Sequence, residues 1–334
     1  MRRLLVAALS AALLACPAQA ETGATIAKRV NLLALNATSG PFEPGTVGFT
    51  VEVAGLAVSL DRFFALALPG EVVEFEVMER PGPIFAFAAP GINDALIGER
   101  SIAFEAPPDP GAYPVTIESP DGEVMTVTVF VLAPMDDVRD GVIEGYRVGR
   151  YPDEPLKGLD SYLPPEGLIR MPPDLYDYRL SPHFRLGQFV SKQAGDPEVH
   201  YLLVRPEIVL KLEALLRTVN ADGVRADSFY VMSGYRTPHY NVALGNVLYS
   251  RHQWGDATDI YVDRNEDLVM DDLDGDGRTL RRDAGRLFEY AEKVDGLDEF
   301  TGVRGGIGEY GANSAHGPFV HVDTRGTPAR WGRK

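Results

Sequence analysis

Short segments with the two-residue alternation of β-strands dominate the chain before residue 135. The alternating runs are residues 46–53, 72–77, 113–118 and 123–132. The last two flank the turn-forming sequence Ser119-Pro120-Asp121-Gly122, which predicts a hairpin. Several short strands separated by proline and glycine predict an all-β sandwich, immunoglobulin-like in kind, over residues 24–134. No catalytic grouping is visible in this region, which favours a structural or docking module.

The first 20 residues have the composition of a secretory signal peptide. Arg2 and Arg3 form a basic start, residues 4–14 are an apolar run, and Ala18-Gln19-Ala20 is a small-x-small cleavage sequence. The apolar run is too short for a permanent membrane anchor. Leu13-Leu14-Ala15-Cys16 also resembles the lipobox at which bacterial lipoproteins are cut and acylated. A lipoprotein therefore stays open beside simple cleavage after Ala20.

Charge and cysteine content restrict the partners and the chemistry. The 334-residue chain has a formal charge of −16, which becomes −18 when Arg2 and Arg3 leave with the signal peptide. This balance argues against a nucleic-acid partner, which would require a basic face, and disfavours anionic lipid. Cys16 is the only cysteine, so cleavage excludes disulfides, thiolate ligands and a cysteine nucleophile. No later segment reaches about 18 uninterrupted apolar residues, so no transmembrane segment is expected.

The rest of the chain divides into a proline-rich stretch and a mixed domain. Residues 135–180 have little periodicity and predict an extended Pro-rich linker. Residues 181–328 mix helical and strand patterns without a βαβ rhythm, which predicts an α+β domain. The expected helices are residues 205–220 and 283–294, and the expected short strands are residues 228–232 and 319–323.

All six histidines lie after residue 180, and two of them join an aspartate in a candidate metal site. His252 and Asp259 are seven residues apart, too far for one helical turn, so a loop containing Gly255 has to bring them together. His321 is a suitable third ligand, because strand alternation would point it and Asp323 to one face. A catalytic zinc takes three such ligands and leaves a fourth position for water. On spacing alone, a histidine buried in the core remains the alternative for His321.

Longer motifs around these residues resemble a known family. They are Ser250-x-His252-x-x-Gly255-x-Ala257-x-Asp259, Ser233-Gly234-Tyr235-Arg236-Thr237-Pro238, Phe184-x-Leu186-x-x-Phe189-Val190 and the late strand histidine. Together they resemble the zinc D-Ala-D-Ala carboxypeptidase family, which includes murein endopeptidases and the VanX and VanY resistance peptidases. The resemblance covers roughly residues 181–325. It implies a small α+β fold around an antiparallel sheet, one catalytic zinc, and cleavage of peptide bonds in bacterial cell-wall stems.

The resemblance also implies roles for individual residues. His252, Asp259 and His321 would be the zinc ligands. Arg236 would bind the substrate or its developing oxyanion, and Ser250 would be a further substrate contact. Zinc would polarise the scissile carbonyl and lower the pKa of its water towards about 7, while a guanidinium would stabilise the oxyanion or clamp a terminal carboxylate.

The general base departs from the usual pattern of the family. Many relatives place Glu, Asp or His two or three residues before the last histidine ligand, where this chain has Pro318 and Phe319. His316 is the first candidate, because an unperturbed imidazole pKa of about 6.5 suits proton transfer. Glu309 and Asp323 are weaker candidates, and Asp323 could instead orient a ligand imidazole from outside the ligand set.

A second acidic segment has the spacing of a calcium loop. Asp272, Asp274, Asp276 and Asp283 occupy positions 1, 3, 5 and 12 of an EF-hand-like loop, and Gly277 occupies position 6. Aspartate replaces the usual bidentate glutamate at position 12, and no helix clearly precedes the loop. The alternatives are a structural Ca2+ site and a solvated acidic turn.

The function expected from these observations is peptidoglycan hydrolysis in the periplasm of a Gram-negative bacterium. A murein endopeptidase is slightly favoured over a D,D-carboxypeptidase, because the Phe319-Val320-His321-x-Asp323 ending resembles that of endopeptidases. The alternative from another class is a non-catalytic, zinc-containing module that binds the cell wall.

Overall fold

The computed structural model describes residues 42–78, 82, 84–195 and 197–332. The predicted signal peptide and lipobox lie outside these residues. Within them the protein is rich in β-structure, with nineteen strands in five sheets and three α-helices. None of the helices in this described part is long and apolar enough to cross a membrane.

The region before residue 132 consists of two sheets. Its strands are β1 (Thr46–Val53), β2 (Leu56–Leu60), β3 (Arg62–Ala67), β4 (Val72–Val77), β5 (Ala86–Ala88), β6 (Leu96–Ile97), β7 (Ser101–Glu105), β8 (Gly111–Glu118) and β9 (Val124–Val131). One sheet has the order β2-β1-β4-β7-β6 and the other β3-β9-β8-β5. All pairs are antiparallel except β3 with β9.

Side-chain alternation explains why these segments form strands. In β4, Val73, Phe75 and Val77 are buried while the residues between them are more exposed, as expected for a strand with one face on the core. The predicted hairpin is confirmed, because β8 and β9 pair in antiparallel fashion, with Glu118 opposite Val124 next to the turn.

The segment predicted to be an extended connection is folded. It contains β11 (Val142–Ile143), β12 (Tyr146–Arg147) and β13 (Gly167–Met171). Strand β13 pairs with β10 (Ala133–Pro134), which precedes the segment, and with β14 (His200–Leu202), which follows it. The segment also contains 3₁₀ helices at Met135–Asp137, Leu156–Gly158, Asp160–Tyr162 and Pro173–Leu175. The prolines remove backbone donors and interrupt long elements. They do not stop the segment from burying Tyr146, Tyr151 and Tyr162 in the core.

The C-terminal region contains the three helices and a five-stranded sheet. The helices are α1 (Pro206–Ala221), α2 (Pro238–Ala243) and α3 (Arg281–Asp295). The strands are β15 (Tyr230–Ser233), β16 (Ala257–Tyr261), β17 (Gly306–Tyr310), β18 (Phe319–Asp323) and β19 (Ala329–Trp331), in the order β15-β16-β18-β17-β19. Further 3₁₀ helices lie at Leu186–Phe189, Arg251–Trp254 and Asp298–Val303. The sheet is antiparallel except for the parallel pair of β17 and β19.

Both predicted helices of this region are confirmed. Helix α1 begins at Pro206, where the missing backbone N–H costs nothing. Helix α3 begins two residues earlier than predicted, and the carboxylate of Asp283 accepts a hydrogen bond of 2.7 Å from the N–H of Leu280 at its start. Its buried residues include Leu287, Phe288 and Val294, and the helix packs on β17 and β18.

Candidate metal centre

Two adjacent strands place two of the predicted ligands side by side. Strands β16 and β18 are antiparallel neighbours, and their register sets Asp259 directly opposite His321. Directly opposed residues point to the same face of a sheet, so the carboxylate meets the imidazole. On the other side of β16, Ser233 of β15 lies opposite Asp259.

The third side chain, His252, comes from the 3₁₀ helix that precedes β16. Gly255 ends that helix in the left-handed conformation, with φ at 70°. A Cβ on Gly255 would lie 2.4 Å from the carbonyl oxygen of Leu203, so only glycine fits both the dihedral angle and the space. This turn brings His252 back to Asp259, as the seven-residue gap predicted.

The three ligand atoms form a small buried triangle that could hold a metal ion. His252 Nε2 lies 3.2 Å from His321 Nδ1 and 3.3 Å from Asp259 Oδ1. His321 Nδ1 lies 2.8 Å from the same carboxylate oxygen. Donors bound tetrahedrally at about 2.0–2.1 Å would be separated by about 3.3–3.4 Å. Two sides of the triangle match this spacing and the third needs to open by about half an ångström, so the donor set fits such an ion.

The side-chain atoms of the three ligands that point away from the triangle also form hydrogen bonds. His252 Nδ1 lies 2.7 Å from the carbonyl oxygen of Gly234 and donates to it. His321 Nε2 lies 3.1 Å from Asp323 Oδ2. Asp259 Oδ2 accepts a hydrogen bond of 2.5 Å from Arg236. Because these bonds occupy the outer atoms, the inner atoms are oriented as ligands, which is the usual arrangement around bound metals.

The electrostatics of the triangle follow from burial and from its paired charges. Burial keeps the pKa of His252 below its ordinary value, against the attraction of Asp259. Burial acts to raise the pKa of Asp259, but the two histidines hold it well below its ordinary range. Burial also acts to lower the pKa of His321, yet hydrogen bonds to Asp259 and Asp323 outweigh it and raise that pKa to about 9. In the metal-free protein His321 therefore carries a proton, which a metal ion would displace.

Asp323 lies on the same face as His321, as strand alternation predicted, and anchors several groups. Its side chain accepts hydrogen bonds from Arg325 and from the backbone N–H of Gly306, the latter at 2.7 Å. It is fully buried, and although burial acts to raise its pKa, the bonds from His321 and Arg325 lower it. Its oxygens already accept bonds from His321, Arg325 and Gly306, so this carboxylate orients the imidazole rather than accepting a proton from water.

Arg236 is brought to the centre but is already bonded on one side. Its Nε donates to Ser233 Oγ at 2.7 Å, and one terminal amino group donates to Asp259. The side chain is 14% exposed and lines the cleft above the triangle. Ser250 begins the 3₁₀ helix that carries His252 and lines the same cleft.

The candidate bases are placed very differently. His316 lines the cleft with the three ligands. Its Nδ1 lies 2.8 Å from the carbonyl oxygen of Gly317, and its Nε2 lies 2.8 Å from Asn313 Nδ2, so Nδ1 donates and Nε2 accepts. Glu309 is bonded to Arg281 at 2.7 Å. It follows Gly308, which lies opposite His321, so Glu309 points to the other face of the sheet and is not near the triangle.

The acidic segment brings together three of its four predicted ligands. Carboxylate oxygens of Asp272, Asp274 and Asp276 lie within 4.8 Å of one another. The fully buried Asp283 stands apart, because its two oxygens accept backbone N–H bonds, including that of Leu273 at 2.8 Å. Arg282 forms ion pairs with Asp274 and Asp276. These residues therefore form an arginine-neutralised turn in the structure, and a cation would have to compete with that guanidinium.

A cleft of about 730 Å3 opens above the triangle. Three arginines line it, and each is paired with a carboxylate of this chain: Arg236 with Asp259, Arg251 with Asp256, and Arg325 with Asp323. The described residues that line the cleft thus include no arginine without an internal carboxylate partner. Exposed aliphatic side chains form part of the rim, with Val247 and Leu248 exposed by 74% and 55%.

Sequence analysis missed two residues that support the surroundings of the centre. The hydroxyl of Tyr151, from the segment expected to be a linker, donates to the carbonyl oxygen of Gln253 at 2.9 Å. Trp331, near the end of the chain, has its ring 5.1 Å from that of His321. Neither residue belongs to a local motif, because both contacts depend on segments that are distant in sequence.

Comparison with known proteins adds nothing to this geometry. No protein-family model matches the chain, and no curated protein matches its sequence.

Proposed function

We propose that this protein is a zinc-dependent peptidoglycan peptidase that acts outside the cytoplasm, in the periplasm. The observation that carries the proposal is the buried triangle of two imidazole nitrogens and one carboxylate oxygen. The outer atoms of all three ligands are hydrogen-bonded, and the three residues line a cleft. Two histidines and one acidic residue with an open fourth position are the ligand pattern of catalytic rather than structural zinc. The motifs that resemble the D-Ala-D-Ala carboxypeptidase family support the same substrate class.

The residues around the centre suit peptide hydrolysis. Bound zinc would supply a Lewis acid that polarises a carbonyl and acidifies water. Arg236 uses Nε and one terminal amino group on Ser233 and Asp259, which leaves its other amino group for a developing oxyanion. His316 lines the cleft and is the proposed proton carrier, for which its Nε2 has to exchange the hydrogen bond from Asn313 for one from water.

The paired arginines favour an endopeptidase over a carboxypeptidase. A carboxypeptidase has to bind the free carboxylate at the end of its substrate, and that group requires an available cation. Here each arginine lining the cleft already neutralises an aspartate. The one amino group that Arg236 has left can bond an oxyanion but cannot clamp a carboxylate at two points, whereas a peptide bond within a cross-link carries no such charge.

For the N-terminal region we propose an immunoglobulin-like sandwich that serves as a structural or docking module. Support comes from its two sheets of five and four short strands, with an almost wholly antiparallel pairing.

The test measures zinc content and cleavage of purified muropeptides together. His252→Ala and His321→Ala should each lose zinc and activity, because the two remaining ligands hold the ion poorly. His239→Ala is the matched control, since His239 is exposed and outside the triangle, and it should keep both. Full zinc occupancy in both ligand variants would eliminate the site. Stoichiometric zinc in a wild-type protein that cleaves no muropeptide would favour the non-catalytic wall-binding module instead.

A further inference from the structure

The short C-terminal strand β19 carries an indole to the edge of the candidate metal centre. Strand β19 pairs with β17 in parallel, and its register sets Trp331 beside Gly308. On the other side of β17, Gly308 lies opposite His321. The ring centroids of Trp331 and His321 are accordingly only 5.1 Å apart. Trp331 also lines the cleft, so a peptide bound at the triangle has to lie close to this indole.

Two glycines make room for the indole on the sheet. A Cβ on Gly308 would lie 2.2 Å from Trp331 Nε1, and a Cβ on Gly306 would lie 2.7 Å from two carbons of the same ring. Atoms do not approach that closely without displacing one another. The ring therefore occupies a slot that any side chain at either glycine position would close.

Further contacts fix the indole in this slot. Trp331 Nε1 donates a hydrogen bond of 2.8 Å to the hydroxyl of Tyr310. The Tyr310 ring stacks on that of Phe319 at 4.5 Å with an interplanar angle of 8°. The neighbouring Arg330 donates to the carbonyl oxygen of Gly305 at 2.8 Å and pairs with Asp295. Trp331, Tyr310 and Phe319 thus form an aromatic wall that is part of the cleft lining.

We propose that Trp331 is a specificity-determining residue that contacts the substrate residue next to the scissile bond and limits it to a small aliphatic side chain. The inference rests on the proposed peptidase function. The indole fills the space beside His321 that a larger side chain would need, and its face offers apolar contact to a methyl group. A glycan ring is not the expected occupant, because the wall adjoins the reacting centre and the sugar of a cell-wall stem is several residues from a cross-link.

The test compares two matched series of synthetic cross-link peptides, in which the residue on one side or the other of the scissile bond is D-Ala or D-Leu. Wild-type protein should prefer D-Ala on at least one side. Trp331→Ala should raise the D-Leu to D-Ala ratio of kcat/KM on that side by about 10-fold or more, the scale set by a few methylene groups in a pocket. Zinc content should be unchanged. His239→Ala is the control, because His239 is exposed and does not line the cleft, and it should leave the ratio unchanged.

A purely structural role would lower kcat/KM for both peptides equally and leave the ratio unchanged, and that result would overturn the inference. Binding is measured separately through the difference in tryptophan fluorescence between the wild type and Trp331→Phe, since the second tryptophan, Trp254, is fully buried. The D-Ala peptide should perturb Trp331 emission even without turnover. Peptide binding with a perturbed Trp331 but no cleavage would refute the proposed function alone, whereas cleavage or binding that leaves Trp331 emission unchanged would refute this inference alone.

Discussion

Two consecutive hydrogen bonds between buried groups connect the segment 135–180 to the 3₁₀ helix that carries His252, called the metal loop below. Which group donates in each of these bonds can be tested. Tyr151 Oη donates to the carbonyl oxygen of Gln253 at 2.9 Å and lies 2.8 Å from Tyr235 Oη. A phenol has one proton, so Tyr235 must donate to Tyr151. Because both side chains are buried, no solvent can replace either bond. The two tyrosines are therefore not equivalent, although they share one hydrogen bond.

The expected destabilisation follows from which groups each substitution leaves without a partner. Tyr151→Phe leaves both the Tyr235 hydroxyl and the Gln253 carbonyl unsatisfied, at about 1–3 kcal/mol each, or about 2–6 kcal/mol in total. Tyr235→Phe removes only a bond that Tyr151 accepts, which costs about 0.5–1.5 kcal/mol. The double variant leaves only the Gln253 carbonyl unsatisfied. It should therefore be more stable than Tyr151→Phe alone, by about 1–3 kcal/mol.

The assay is urea unfolding of the wild type, both single variants and the double variant, with the m-value checked for constancy. Phenylalanine keeps the ring volume, so cavity formation does not obscure the comparison. The double-mutant cycle should give a strongly non-additive coupling. Equal destabilisation by the two single substitutions would refute the assigned donors and acceptors. Destabilisation of the double variant by the sum of the two would refute them as well.

Four further outcomes follow from the centre and the acidic turn. A pKa of about 9 leaves His321 protonated at neutral pH. Zinc binding at pH 7 should therefore release about one proton, and the zinc affinity should fall about tenfold for each pH unit below pH 9. Calorimetry in buffers of different ionisation enthalpy measures both. Arg236→Lys should weaken zinc binding by about 10–100-fold in a chelator competition, because an ammonium cannot bond Ser233 and Asp259 together. His316→Ala should lower muropeptide turnover by about 10²–10⁴ with unchanged zinc content, and near-normal turnover would remove its proton role. Millimolar calcium should raise the melting temperature of the wild type but not of Asp274→Ala, and no shift in the wild type would leave only the acidic turn.

Local periodicity was sufficient to predict the main elements, whereas the ligand set also needed the wider motifs. The alternation in β4 and the helical spacing in α1 are properties of consecutive residues, and both elements formed where the sequence predicted them. The approach of His252 to Asp259 followed from a gap that needed a turn and a glycine to make it. His321 was found through its strand alternation and the wider motifs, and the register of β18 against β16 then placed it opposite Asp259.

The parts that sequence analysis did not predict depend on contacts between distant segments. Tyr151 reaches Gln253 across 102 positions, and no pattern within either segment signals that bond. The prolines of residues 135–180 predict an extended chain. Prolines limit regular secondary structure but do not prevent packing. Backbone carbonyls of the same segment accept hydrogen bonds from the metal loop. The carbonyl of Ser161 accepts from Arg251 at 2.9 Å, and that of Leu163 accepts from Trp254 at 2.8 Å.

The charges around the triangle balance one another. Asp259 and Asp323 are two buried carboxylates, and isolated buried charges of one sign would force the groups apart or neutralise them. Arg236 and Arg325 each pair with one of them, and protonated His321 bridges both. The imidazolium proton thus occupies the position between His321 and Asp259 that a metal would take. A metal ion that binds here would exchange with that proton.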